Sequence, residues 1–261
     1  MTIDDELCVA AVQPMPVRGS VEDNVGRSAQ MVARAADRGA RLTVFPELSL
    51  VGYDLDRLAA PELWLQADDS RLDPLRDQCR TSATHTVVGA AVRAPDGRPL
   101  IASLFIDSLG ELSVHGKVHL HGPEWTMFEP GGPNAPVDVD GWRAALAVCY
   151  DAAVPAHAQQ AAEAGAELYL VSSWYAGHEY ERMGIHLAAR AMDHRMFAVG
   201  ANYARSPDFD SCGGSGIWGP DGTCERRASF SVEVVLGNLS RHHMLSLRRT
   251  DRDATAPEAG G

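Results

Sequence analysis

Cysteine is scarce in this chain: Cys8, Cys79, Cys149, Cys212 and Cys224 are the five present, widely spaced and without a Cys-x-x-Cys pair. An odd, scattered set argues against both a disulfide framework and a zinc knuckle. No apolar run approaches the roughly 20 residues that a membrane helix needs, so no membrane contact is expected. Positive charge is short as well, with 23 Lys and Arg against 35 Asp and Glu and a formal net charge of -12. Phosphate binding needs clustered Lys and Arg, so nucleic acid is not an expected partner. The start, Met1 to Glu6, is acidic where a signal peptide would be basic, and free thiols fit a reducing, cytoplasmic setting. No linker, repeat or low-complexity block interrupts residues 1–240, which read as one domain. From Arg241 to Gly261 charged, Ala and Gly residues dominate, and a flexible tail is expected there.

What the chain does have is a 45% hydrophobic content, enough to bury a core without staples, arranged as short apolar runs between helical stretches. Leu7–Val12 reads as a strand, and Val21–Arg38 as a helix with Val25, Ala29, Val32 and Ala36 on one stripe. Gly39 ends that helix, and Leu42–Phe45 is a buried-type strand halted by Pro46. A helix over Leu72–Ala83 precedes a strand over Thr86–Val92. The Ala94–Pro99 turn makes Leu100–Asp107 its hairpin partner, and a second turn leads into Leu112–Lys117. Residues 118–136 form a long loop rich in Gly, Pro and His, of the kind that is often functional. Then follow a strand at Ala144–Val148, a helix at Ala156–Ala164 and a strand at Leu168–Ser172. A helix over Tyr180–Phe197 and a strand over Ala198–Asn202 come next. Two last strands, near Ser215–Trp218 and Val232–Leu239, flank the Gly219–Gly222 turn. This alternation, with two hairpins, predicts an α/β layered fold with a mixed sheet.

Three places share one grammar, in which a buried strand ends and a reactive side chain follows at once. Leu42 to Pro46 delivers the carboxylate of Glu47. Ser113 to Gly116 delivers the ammonium of Lys117, and Ala145 to Val148 the thiol of Cys149. Ligands of α/β sheets gather beyond the carboxyl ends of strands, so the three could converge. Singly, each has an ordinary reading: a buried small hydrophobe for Cys149, an exposed loop residue for Glu47 and a solvated cation for Lys117.

Taken in order, the motifs resemble the nitrilase superfamily of carbon–nitrogen hydrolases, from about Leu7 to Leu239. Phe45-Pro46-Glu47 running on to Gly52-Tyr53 is similar to its base motif. Gly116-Lys117-Val118-His119, running on to Glu124 and Phe128–Gly131, is similar to its lysine motif. Gly141-Trp142 and Cys149-Tyr150-Asp151, followed by Pro155 and Gly165-Ala166, are similar to its nucleophile motif. Ala189-Arg190-Ala191 matches its late helix, and Gly214-Ser215 with Gly219–Gly222 its closing hairpin. The resemblance implies a four-layer αββα sandwich of the nitrilase type, often dimerised through helices, and a Glu–Lys–Cys triad. It also implies a second glutamate beside the lysine. Glu124 matches that position, although the interval from Lys117 is one residue shorter than in several amidase-like relatives.

On this reading Cys149 is the nucleophile. Glu47 takes its proton and later activates water against the thioester. Lys117 and the backbone N–H of Tyr150 donate to the oxyanion, and Glu124 orients Lys117 or holds the leaving amine. Tyr53, Tyr150 and Trp174 are the expected substrate-binding residues, Asn202 a supporting group and Cys212 a second thiol or a buried structural one. In the family Cys-Trp-Glu accompanies nitrilases, whereas Cys149-Tyr150-Asp151 resembles the amidase-like and carbamoyl-hydrolase branches. Many relatives carry an Arg after that Asp, suited to a substrate carboxylate. Ala152–Ala156 lacks it, which points to a neutral or cationic amide; Asp54 and Asp56 are acidic loop residues that could attract a cation.

The expected activity is thiol-dependent hydrolysis of a linear, non-peptide amide through a Cys149 thioester, releasing ammonia or an amine. An N-carbamoyl substrate is the alternative within the class; a non-catalytic binding or scaffold role, or acyl transfer, is the alternative outside it. No cofactor is implied, and a homodimer or higher homo-oligomer is. His115, His119 and His121 alternate like metal ligands. No His-Glu-x-x-His motif accompanies them, and His119 belongs to the lysine motif, so no metal is expected.

Overall fold

The computed structural model describes residues 5–15 and 20–255. Strand β1 (Glu6–Gln13) leads through α1 (Val21–Ala36) to β2 (Leu42–Val44), and α2 (Asp73–Ser82) leads to the hairpin β3 (His85–Arg93) and β4 (Pro99–Ile106), then β5 (Leu112–Gly116). Next come β6 (Val137–Val139), β7 (Trp142–Val148), α3 (Pro155–Glu163), β8 (Leu168–Ser172), α4 (Tyr180–His194) and β9 (Phe197–Ala201). The chain closes with β10 (Gly216–Trp218), β11 (Cys224–Arg227), β12 (Glu233–Ser240) and α5 (Arg241–Thr255).

Two six-stranded sheets result, ordered β12-β1-β2-β3-β4-β5 and β6-β7-β8-β9-β10-β11. Read in those orders, both sheets pair antiparallel, parallel, parallel, antiparallel, antiparallel. The two sheets thus share one topology, with no sequence repeat to announce it. The parallel centre of each sheet needs helical crossovers, which cover its outer face. Val9, Leu42, Val44 and Val87 of the first sheet share a core with Leu168, Leu170, Phe197 and Val199 of the second. Outside it, Val25, Val32 and Leu75 from α1 and α2 cluster with Val88 and Ala90. On the opposite face, Ala158, Met183 and Leu187 from α3 and α4 cluster with Tyr169 and Val171. A single chain therefore supplies all four layers of an αββα sandwich. Helix α1 shows why the local sequence obeys: Ser20 caps it by accepting from the Asp23 N–H at 3.2 Å, and Glu22 and Asp23 sit in its positive first turn.

Several boundaries depart from the sequence expectation. Helix α4 stops at His194 because Arg195 adopts a left-handed φ of +48°, so Phe197 opens β9 rather than closing the helix. The Gly219–Gly222 turn joins β10 to β11, an exposed strand not foreseen; β12 instead crosses to the other sheet to pair with β1. Strand β6 was also not foreseen. The expected loose tail is corrected over Arg241–Thr255, which forms α5. Met244 is buried there, Arg241 pairs with Glu167 at 2.8 Å, and Arg248 donates to the carbonyl of Ala166 at 3.0 Å. These anchors outweigh the charged composition. Residues 256–261 of that expected tail lie outside the described residues.

Candidate active site

Each of the three strand-end side chains is delivered by a backbone device that the fold supplies. After β2, Phe45 extends the pairing to Val87 (2.8 Å) and Pro46 then turns the chain. Leu48 takes a left-handed φ of +52°. This turn presses on Gly89 of β3, where a Cβ would collide with the Leu48 N and the Pro46 O. The Glu47 carbonyl accepts from the Tyr203 hydroxyl at 2.7 Å. After β5, the Lys117 N–H donates to Ile101 (2.7 Å) and its carbonyl accepts from Gly131 (2.6 Å). After β7, Cys149 itself sits at a left-handed φ of +47°, a conformation that costs a non-glycine residue about 1–2 kcal/mol. Its Sγ lies 3.3 Å from the Trp174 carbonyl oxygen.

The side chains meet. Lys117 Nζ lies 2.7 Å from Glu47 Oε1 and 2.7 Å from Glu124 Oε1. Glu124, in the short 3-10 helix Gly122–Thr126, is held on its other oxygen by the His121 N–H at 2.8 Å. Tyr53 donates its hydroxyl to Glu124 Oε1 at 2.9 Å. The remaining Glu47 oxygen, Oε2, is buried and takes no full hydrogen bond; the Cys149 thiol is within reach of this carboxylate.

Burial dominates the electrostatics. It pushes the Glu47 carboxyl up to about 7 against the pull of the Lys117 charge. Burial, then the Glu47 charge, push the Cys149 thiol well above its usual range. For Lys117 burial acts downward, but Glu47, Cys149 and Glu124 together hold it above the ordinary lysine value. The resting arrangement is therefore a neutral thiol facing a carboxylate poised to accept a proton near pH 7, beside a fixed ammonium. Such a set can deprotonate a thiol during attack on a carbonyl and stabilise the oxyanion that forms.

A cavity of about 90 Å³ opens onto Lys117, Glu124 and Cys149. Of the expected substrate-binding residues, all three line it. Trp174 stacks on Tyr53 with ring centroids 4.5 Å apart, and Tyr150 packs on His121 at 4.6 Å. Sequence reasoning missed a further part of the lining, made by Glu179 at the N-cap of α4 with Arg182 and His186 of that helix. Glu179 accepts from Arg182 at 2.8 Å and from the Ala176 N–H at 3.0 Å, and Tyr175 shares a 2.8 Å hydrogen bond with His186. The signal available was their i, i+3, i+7 spacing just beyond the Ser172–Tyr175 strand end.

Other expected residues lie elsewhere. Asn202 is buried behind the site, accepting from the Tyr175 N–H at 3.2 Å and donating to the Gly213 carbonyl at 2.9 Å. Cys212 is buried beside it, and burial pushes its thiol up to about 11. Neither Asp54 nor Asp56 lines the cavity. The three alternating histidines part company: His115 bonds to Ser113, His119 to Asp151, and His121 packs at a tilt against Tyr150. Among the described residues, no group of three or more His, Cys, Asp or Glu could hold a metal ion, and no helix is long and apolar enough to cross a membrane.

Known proteins share this arrangement of the chain. The carbon-nitrogen hydrolase family matches residues 8–249. A Pseudomonas protegens protein described as "Hydrolase in pqqF 5'region" is 31% identical over 94% of this chain and 86% of its own length. A formamidase of Pseudomonas syringae is 33% identical over 55% of this chain, which spans 42% of that longer relative. A double mutant of the amidase from Nesterenkonia sp. AN1, in complex with acrylamide, superposes with a TM-score of 0.82 at 26% identity, covering 97% of this chain and 98% of that one. Another mutant of that amidase carries the acetamide moiety of fluoroacetamide on its active-site cysteine, with a TM-score of 0.81 at 27% identity over 95% and 96% of the two chains.

Proposed function

Because the chain belongs to the carbon-nitrogen hydrolase family, we propose that it hydrolyses a small, uncharged aliphatic amide through a thioester on Cys149, releasing ammonia. The observation that carries this reading is the Lys117 ammonium held 2.7 Å from both Glu47 and Glu124 at the floor of the cavity that Cys149 lines. The Cys149 sulfur attacks the amide carbon while its proton passes to Glu47. Lys117 Nζ and the Tyr150 N–H, near the open start of the Cys149–Ala153 turn, receive the oxyanion. Collapse of the tetrahedral adduct breaks the C–N bond, and the proton on Glu47 leaves with the ammonia. Glu47 then takes a proton from water as that water attacks the thioester, which frees the carboxylic acid and restores the thiol.

Size and charge support a small, neutral substrate. A cavity of about 90 Å³ is far below the roughly 300–1,000 Å³ that drug-sized ligands occupy. Arg182, a cation in its lining, is already paired with Glu179, so an entering carboxylate would compete with a carboxylate in place. This favours a plain amide over an N-carbamoyl acid. Formamide and acrylamide, the compounds that relatives are named for or bound to, are of this size. Ile185 and Met192, 66% and 48% exposed and seven residues apart on α4, support self-association of two chains through that helix. Five free thiols favour a reducing, cytoplasmic setting.

The decisive experiment is an ammonia-release screen over formamide, acetamide, propionamide and acrylamide, with nitriles and N-carbamoyl compounds alongside, run with wild type and Cys149→Ala. Release from the short amides that vanishes in Cys149→Ala is the expected result. Turnover of nitriles above amides, or full activity in Cys149→Ala, overturns the proposal.

A further inference from the structure

We propose that Asp151 is a positioning residue whose single carboxylate clamps the Cys149 turn to the Lys117 loop and so sets the distance between nucleophile and oxyanion donor. Asp151 lies two residues beyond Cys149 and is 1% exposed. Its Oδ2 accepts from the Val148 N–H at 3.0 Å and the Val118 N–H at 3.4 Å. Its Oδ1 accepts from the His119 N–H at 2.8 Å and lies 2.9 Å from His119 Nδ1. Val148 is the residue before Cys149, and Val118 the residue after Lys117. One rigid planar group is thus bonded to the immediate neighbours of both reacting side chains.

The clamp answers a need that the fold creates. Cys149 and Lys117 follow strands of different sheets, β7 and β5, and no ladder hydrogen bond crosses between sheets. The left-handed φ at Cys149 also requires compensation. The Val148 bond closes the turn around the nucleophile, and the Val118 and His119 bonds fix the other segment to the same carboxylate. A carboxylate that accepts several N–H bonds is stabilised in its charged form. Accordingly Asp151 stays below the usual carboxylate range: burial raises it, but His119, His157 and the N–H donors outweigh burial. The groups facing it are His119 from the lysine loop and His157 of α3, whose Nε2 is 3.9 Å away and whose Nδ1 bonds Tyr169 of β8. None of these lines the cavity, so the clamp acts through Cys149 and Lys117 and not on substrate.

This inference rests on the hydrolase reading, and the experiment separates the two. Asp151→Asn keeps the shape but sets an NH₂ group against N–H donors. On whichever short amide the ammonia-release screen identifies, kcat is expected to fall about 100-fold with KM within about threefold, as for a displacement near 1 Å. Alkylation of Cys149 by iodoacetamide, followed by peptide mass spectrometry and needing no substrate, is expected to slow roughly tenfold. Asp151→Glu, which restores the charge, should recover part of both. If Asp151→Asn does not fold, Asp151→Glu decides, because the extra methylene displaces the same carboxylate: alkylation about threefold slower than wild type supports the clamp, and wild-type alkylation overturns it. A folded Asp151→Asn with wild-type kcat and alkylation also overturns it. Should no amide be turned over while alkylation still slows, the hydrolase reading fails and the clamp stands.

Discussion

Lys117 Nζ lies 2.7 Å from Glu47 Oε1, and neither side chain is exposed to solvent. Removing one partner of a buried ion pair strands the other, which typically costs about 3–5 kcal/mol. Lys117→Met should therefore lower stability and, on the proposed mechanism, also remove an oxyanion donor, with kcat down about 100- to 1000-fold. Chemical denaturation and steady-state kinetics read the two effects separately. A Lys117→Met enzyme with wild-type kcat would remove Lys117 from the mechanism.

Burial puts the Glu47 carboxyl at about 7, and the proposed mechanism needs it ionised to accept the thiol proton. Activity should therefore rise with pH through a limb near 7. The stability effect has the opposite sign. A carboxyl raised above its unfolded value of about 4.5 stabilises the fold below that value, and this contribution is lost as pH rises through about 7. Glu47→Gln should abolish turnover and flatten the change in Tm across that window. A steeper Tm dependence in Glu47→Gln than in wild type would contradict the assignment.

Tyr53 joins the ion-pair cluster to the cavity wall, through its hydrogen bond to Glu124 and its stack on Trp174. Tyr53→Phe removes the hydrogen bond alone and is expected to lower kcat roughly tenfold. Tyr53→Ala also removes the stack, worth about 0.5–1.5 kcal/mol beyond burial, so KM should rise in that variant and not in Tyr53→Phe. Equal KM changes in both would place substrate away from the ring.

Gly89→Ala tests the crossing that seats Glu47. The added methyl meets the Leu48 N and the Pro46 O, both backbone, so the Glu47 turn must shift. Overpacking of this kind costs about 1–3 kcal/mol. Loss of activity disproportionate to that modest destabilisation is the expected outcome, measured as kcat in a folded variant.

Charge on the outer face of α4 tests self-association. Ile185→Glu should halve the particle mass in light scattering if two chains meet there. An unaltered mass, or a wild type that is monomeric at micromolar concentration, would exclude that face.

The strand-end groups were legible because the signal is local: an apolar run, then one reactive side chain. Glu47, Lys117 and Cys149 each sit within three residues of a strand end. The wall of Glu179, Arg182 and His186 was not legible, because which helix face meets the cavity is decided by how α4 packs on β9 and β10. Asp151 lies two residues from Cys149 in sequence, yet Val118 and His119 lie more than thirty residues away along the chain, so no local pattern announces their bonds. Strands β6 and β11 are three and four residues long, too short for alternation to register. The end of α4 escaped because its left-handed cap is Arg195, where a glycine would have marked it.

The pairing of β1 with β12, register Glu6 to Ser240, imposes an order of assembly on the newborn chain. The second sheet is drawn from one continuous stretch, β6 to β11, and can close as soon as that stretch has left the ribosome. The first sheet cannot, because β1 keeps a bare edge until the last strand emerges. Pairings of such sequence separation are slow to form, and an open edge invites other strands. A chain interrupted before β12 would carry Glu47, Lys117 and Cys149 and still be the aggregation-prone form of this protein.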